Sequence, residues 1–123
     1  MANKKAFATW TVAGKEYDLK LKSSCICEAE EKLGGINVMS FIGAENGFPT
    51  LNAMMIIVYY AMKPWNHGIE LNEVYDLYDT YIEEGHTMTT FYTDVFVKVY
   101  EVSGFFEKAQ VKILEKAKKE IKA

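Results

Sequence analysis

Tyr17–Gly35, YDLKLKSSCICEAEEKLGG, is the stretch whose reading decides the fold. Tyr17, Leu19 and Leu21 alternate with Asp18, Lys20 and Lys22, the period-two pattern of a strand with one buried face. Ser23 or Ser24 then offers a hydroxyl to the free N–H groups of a following helix. Gly34 supplies the positive φ that a helix C-cap prefers. The stretch joins a strand to a short acidic helix and by itself names no chemistry.

Outward toward the N-terminus, Ala6–Val12 (AFATWTV) is rich in aromatic and β-branched residues, as strands are. Ala13–Glu16 (AGKE) is a short link in which Gly14 is free to take a positive φ. Together these predict a β-hairpin over residues 6–22. An isolated hairpin is marginally stable, so one of its faces is expected to lie on helices.

Outward toward the C-terminus, Ser24–Leu33 carries Ile26, Ala29 and Leu33 on one helical stripe. Ile36–Ile42 reads as a short helix with Met39 and Ile42 facing in, and Gly43–Pro49 as a loop. Thr50 caps a helix through about Lys63, which Pro64 stops by pushing the preceding residue out of the α region. Trp65–Gly68 is a turn. Asn72 then caps the strongest helix, whose Val74, Leu77, Tyr78, Tyr81 and Ile82 form an amphipathic stripe ended by Gly85. Thr89–Val102 shows both periods: Val95, Val97 and Val99 alternate like a strand, while Phe91, Val95, Val99 and Val102 repeat like a helix. Its length without a turn signal favours the helix. After Gly104, Phe105–Ala123 is a Lys-rich helix with Phe106, Ala109, Ile113, Ala117 and Ile121 along one side. The expected fold class is α+β, mainly α: one domain over residues 1–123, its hairpin (6–22) packed on a bundle of about five to six helices. Residues 24–104 form the helical core and 105–123 the Lys-rich C-terminal helix.

A chain of 123 residues buries about two thirds of its unfolded surface, enough for a core without metal or disulfide staples. Eight Tyr, seven Phe and two Trp fit either a Tyr-rich core and rim or a self-association surface. The net charge is −3 and all fourteen basic residues are Lys. Absence of Arg, the preferred residue for bidentate phosphate and guanine contacts, counts against nucleic acid as a partner. Charge is also unevenly placed: Pro64–Val97 holds seven acidic residues and no Lys, whereas Phe105–Ala123 holds six Lys and three Glu. Such a split either draws copies together head to tail or marks two solvated helix faces. The N-terminus lacks an apolar signal region, and the apolar run Leu51–Met62 is too short to span a bilayer. No membrane partner is expected, and the two Cys suggest a reducing cytoplasmic setting.

The residues that carry chemistry elsewhere are poorly arranged for it. Cys25 and Cys27 are separated by one residue, which on a helix splays their side chains by about 200°; both are expected as small buried apolar groups. His67 and His86 sit singly in turns, so no metal site is expected. Asp76, Asp79 and Glu83 share a helical face, which a solvated surface explains better than a divalent cation does. Gly34-Gly35 follows a helix, whereas a phosphate cradle precedes one. No nucleophile has a partner base at a telling spacing, so neither an enzyme nor a cofactor is expected. The Lys-rich C-terminal helix lacks Arg and Trp and is interrupted by Glu107, Glu115 and Glu120, which weakens a lipid or nucleic-acid role.

Four pieces in order along the chain carry a family likeness: KAFATWTVAGKEYDLKL, ICEAEEKLGG, GIELNEVYDLYDTYIEEG and EVSGFFEKAQ. They resemble the tail assembly chaperones of long, non-contractile-tailed bacteriophages, in particular the small versions of phages and prophages of Gram-positive bacteria. The resemblance spans nearly the whole chain and rests on order and spacing, since no single motif is chemically distinctive. It implies a mostly helical, non-enzymatic protein with a small β element. It implies that the protein binds the tape measure protein in the host bacterial cytoplasm and keeps it soluble until tail tube subunits assemble. It also implies absence from the mature virion, self-association into a homo-oligomer and the tail tube protein as a further partner. The family has no shared catalytic residues to carry over. Cys25 and Cys27 depart from its more usual small aliphatic residues, and the segment after Phe106 is variable ground. The interaction surface is expected from Trp10, Tyr59, Tyr60, Tyr78, Tyr81, Phe105 and Phe106, with exposed Met side chains. The alternative is a structural tail completion or connector protein retained in the virion.

Overall fold

The computed structural model describes residues 7–42 and 48–105. Strand β1 (Ala8–Val12) pairs antiparallel with β2 (Lys15–Leu19), setting Trp10 opposite Tyr17 and Val12 opposite Lys15. The link is therefore two residues rather than four. Ala13 and Gly14 both take positive φ, 52° and 78°, as in a type I′ turn whose twist matches the strands it joins. Glycine adopts this freely, but an L-residue such as Ala13 gives up about 1–2 kcal/mol. The Ala13 N–H donates to a Glu84 carboxylate oxygen at 2.8 Å, which ties the hairpin tip to the far end of a later helix.

Four helices follow among the described residues: α1 (Ser23–Lys32), α2 (Leu51–Met62), α3 (Leu71–Glu83) and α4 (88–102). The expectation of five to six is corrected in one place by the structure: Ile36–Ile42 holds only a 3₁₀ turn, Val38–Phe41. The expected C-terminal helix lies outside the described residues apart from Phe105. The α+β, mainly helical class stands.

Helix ends show where local signals held. At the end of α1, Gly34 N–H donates to Glu31 O at 3.2 Å and Gly35 N–H to Glu30 O at 2.8 Å, the pair of bonds that a glycine-capped helix makes. Thr50 Oγ1 accepts from Ala53 N–H at 3.1 Å and starts α2. Three expectations fail. Neither Ser23 nor Ser24 caps α1, because the helix begins at Ser23 with Lys22 in the cap position. Glu70 rather than Asn72 precedes α3, its N–H donating to the Glu73 carboxylate at 2.9 Å. Lys63 keeps helical angles, φ −55° and ψ −45°, although it precedes Pro64. The chain turns after α2 because Trp65 and Asn66 N–H groups both return to Met62 O at 3.0 Å.

Helix α4 explains its own ambiguous pattern. Phe91, Tyr92, Val95, Phe96, Val97, Val99 and Tyr100 are all buried, so the helix is apolar around most of its circumference and no clean stripe is left. It comprises an α turn (Met88–Phe91), a π-helical segment (Tyr92–Phe96) and a final α segment (Val97–Val102). Buried Thr93 lies within the π segment and donates its hydroxyl to Thr89 O at 3.2 Å. A hydroxyl competing for a ladder carbonyl is one physical origin of such a bulge.

The hairpin lays Ala8, Trp10, Val12 and Leu19 on the helices. Long-range bonds fix its exit: Lys20 N–H donates to Ala61 O at 2.9 Å, the Trp65 indole N–H to Lys20 O at 2.8 Å, and Asn66 Nδ2 to Asp18 O at 2.8 Å. Further along, Leu21 N–H donates to Ser103 Oγ at 2.9 Å, and the buried Tyr100 hydroxyl donates to Val38 O at 2.6 Å.

Candidate functional site

The aromatic residues divide into two populations. Trp10, Tyr78 and Tyr81 are 1%, 9% and 4% exposed, and they meet around Phe91. The Trp10 ring centroid is 5.2 Å from that of Phe91 and 5.8 Å from that of Tyr81, both edge-on, and Tyr78 lies 5.1 Å from Phe91. Edge-to-face contacts of this kind add to the area that the rings bury. The expectation that these three residues face a partner is thus corrected: the inward stripe of α3 places both tyrosines beneath the hairpin. Met54, Met55 and Met62 are fully buried as well, so the methionines of α2 are core and not client surface.

Tyr59 and Tyr60 belong to the second population. They occupy the last turn of α2, half-buried, with ring centroids 5.0 Å apart. Lys63 Nζ lies 5.9 Å from one ring centroid and 5.7 Å from the other, within range of a cation–π attraction. Two open grooves flank them. One, of about 510 Å³, runs between the tyrosines and Ile69, Glu70 and Leu71. The other, of about 410 Å³, is bounded by Glu28, Glu31, Lys32 and Lys63. Burial pushes the Tyr60 phenol above its ordinary pKa; Glu28 adds to this and Lys63 opposes it. Tyr60 is accordingly a neutral hydrogen-bond donor at physiological pH. The site offers aromatic faces, aliphatic side chains, hydroxyls and charges of both signs, which suits it to binding a mixed surface.

The remaining expected residues are scattered. Phe105 is half-buried with its ring centroid 5.0 Å from that of Tyr100, and Phe106 lies outside the described residues. Cys25 is buried but Cys27 is exposed; adjacent-but-one positions on a helix cannot share a face, so the expectation of two buried thiols fails for the second. Asp76, Asp79 and Glu83 are exposed on α3. Among the described residues, no group of three His, Cys, Asp or Glu side chains is placed to hold a metal ion, and no helix is long and apolar enough to cross a membrane.

Sequence reasoning missed other exposed apolar groups. Met39 and Ile82, both expected to face in, are 37% exposed, and Ile36 and Phe48 are 48% and 51% exposed. Ile82 sits one position past the inward Val74–Tyr78–Tyr81 stripe, and only that offset in the sequence hinted at it. No curated protein and no solved structure matches this chain. The chain belongs to DUF6096, a family of unknown function, whose sequence pattern matches residues 3–122.

Proposed function

We propose that this protein is a non-enzymatic tail assembly chaperone that binds the tape measure protein and keeps it soluble while the tail tube assembles. Its place of action is the host bacterial cytoplasm, and it is absent from the mature virion. Two lines support the reading. The order of the four resembling sequence pieces is that of small chaperones from phages of Gram-positive bacteria, and a small hairpin on a helical body agrees with what that resemblance implies.

The observation that carries the reading at the level of residues is the Tyr59–Tyr60 pair with Lys63 across both rings, set between two grooves. A tape measure protein is long and helical, so each of its amphipathic segments presents an apolar stripe beside charges. Half-exposed aromatics with charges of both signs match such a stripe and remain soluble when unoccupied. The test is co-expression with the large helical protein of the same gene cluster. Soluble client is expected only when this chain is present, and it is expected to be lost with Tyr59→Ala/Tyr60→Ala. Client that is equally soluble without this chain would overturn the proposal. Finding this chain in purified particles would favour the connector role instead.

A further inference from the structure

The two edges of the hairpin differ. In an antiparallel pair, alternate residues turn their N–H and C=O groups away from the neighbouring strand. Asp18 and Lys20 are such residues on the β2 side, since their backbone groups bond outward to Asn66, Ala61 and Trp65. Thr9 stands opposite Asp18 and Thr11 opposite Glu16, so on β1 these two threonines turn their backbone groups outward. Both are exposed, and among the described residues neither backbone bonds on that side. Ala13, the next residue of the same parity, has its N–H taken by Glu84 at 2.8 Å, which ends the open edge at the hairpin tip. A groove of about 350 Å³ runs here, lined by Thr9, Trp10 and Thr11 of β1 and by Glu84, His86, Asp94 and Val95 from the α3–α4 junction. Trp10 adds a second unmet bonding group, because its buried indole N–H has no partner among the described residues.

We propose that the β1 edge binds an extended segment of another protein, which enters the groove as a third strand and turns a Lys or Arg inward. Thr9 and Thr11 offer two N–H donors and two carbonyl acceptors, two residues apart, the set that one added strand uses in full. Side chains of such a strand alternate, so the one beside Trp10 turns toward the helices. There His86 lies flat on Tyr81, ring centroids 4.2 Å apart and planes 9° from parallel, next to buried Val95. The aliphatic stem of a Lys or Arg packs on these groups while its charge reaches the exposed Asp94 and Glu84 carboxylates. No Lys lines the groove among the described residues, so its complement is a cation. The groove shares no lining residue with the two beside Tyr59 and Tyr60, and the interaction therefore stands apart from the client binding proposed there.

The probe is a blocked peptide that alternates Thr and Val around one central Lys, titrated to millimolar concentration into the full chain while amide exchange is followed by NMR. The Thr9 and Thr11 amides are expected to exchange freely without peptide and to be protected with it, whereas the Lys20 amide, already bonded to Ala61, is unchanged. Replacing the central Lys by Glu is expected to weaken binding by about tenfold or more. N-methylating the peptide amides that face the edge is expected to cost about tenfold as well. Thr11→Pro removes one edge donor at a position where a strand tolerates proline and is expected to act in the same direction. Asp94→Asn is expected to narrow the preference for Lys over Glu. Circular dichroism checks that both variants are folded, and the N-methylated peptide keeps the test decisive if Thr11→Pro is not. No binding of the Lys peptide, binding that leaves Thr9 and Thr11 unprotected, or indifference to N-methylation would each overturn the proposal. Protection of these two amides in a dimer without peptide would assign the edge to a second copy and overturn it too.

Discussion

Tyr78 and Tyr81 on α3 and Tyr59 and Tyr60 on α2 are pairs of one residue type near each other on helices, and they meet opposite fates. The first pair is three residues apart, shares the inward stripe and closes on Trp10 and Phe91. Tyr81 also reaches Thr90, hydroxyl to hydroxyl at 3.1 Å. The second pair is adjacent in sequence, about 100° apart around the helix, so both cannot point into the core; their rings meet edge to face at 5.0 Å and neither is fully covered. They also lie in the last turn of α2, where the neighbouring grooves open. A tyrosine count therefore says little about an interface; the face and the end of the helix decide it.

The largest test of this contrast is Trp10→Ala, which empties the centre of the buried cluster. A loss of about 3–5 kcal/mol is expected in denaturant unfolding, and a loss below about 1 kcal/mol would break the division into core and surface aromatics. Tyr100→Phe comes next, since it leaves the Val38 carbonyl without its donor at a cost of about 1–2 kcal/mol. The same variant has a pH signature. Burial, then Tyr92 and Glu30, raise the Tyr100 phenol pKa, and burial also raises those of Tyr92 and Tyr81. The folded state thus holds these protons more tightly than the unfolded chain does. Stability is full below the unfolded tyrosine pKa of about 10 and falls as pH rises through the folded values. Alkaline unfolding curves are expected to decline less steeply for Tyr100→Phe.

Smaller effects sharpen the comparison at the surface. Ala13→Asn relieves an unfavourable turn conformation and is expected to add about 0.5–1 kcal/mol, read in the same unfolding experiment. Tyr59→Ala/Tyr60→Ala is expected to change stability by about 1 kcal/mol or less while abolishing client recovery. Such a separation of stability from function is what distinguishes a binding surface from a core.

Much of the fold was legible because it was written in short-range patterns. Alternation over Tyr17–Leu21, the Thr50 cap and the glycine stops at Gly34 and Gly85 are local, and each does what its local physics predicts. What stayed hidden depends on which neighbour covers a face. The stripe on α3 was readable, but not that Ile82 would be left outside it. The Cys25–Cys27 spacing already implied divergence, yet not which thiol would turn inward. Nothing near Trp65 or Asn66 announced that their side chains reach 45 and 48 residues back along the chain. For the candidate site, aromatic residues were correctly noticed, but their sorting required knowing where α2 ends between α1 and the Ile69 turn.

The bonds from Ala61, Trp65 and Asn66 to Lys20 and Asp18 have a consequence for how this protein meets other chains. They occupy backbone groups on the side of the second strand that faces away from its partner, where an unpaired strand would otherwise recruit another one. Growth of the two-stranded sheet by strand addition is blocked at these groups by an indole, a carboxamide and a helix carbonyl. The protein is thereby kept from templating aggregation at these groups, and engagement there is left to side chains.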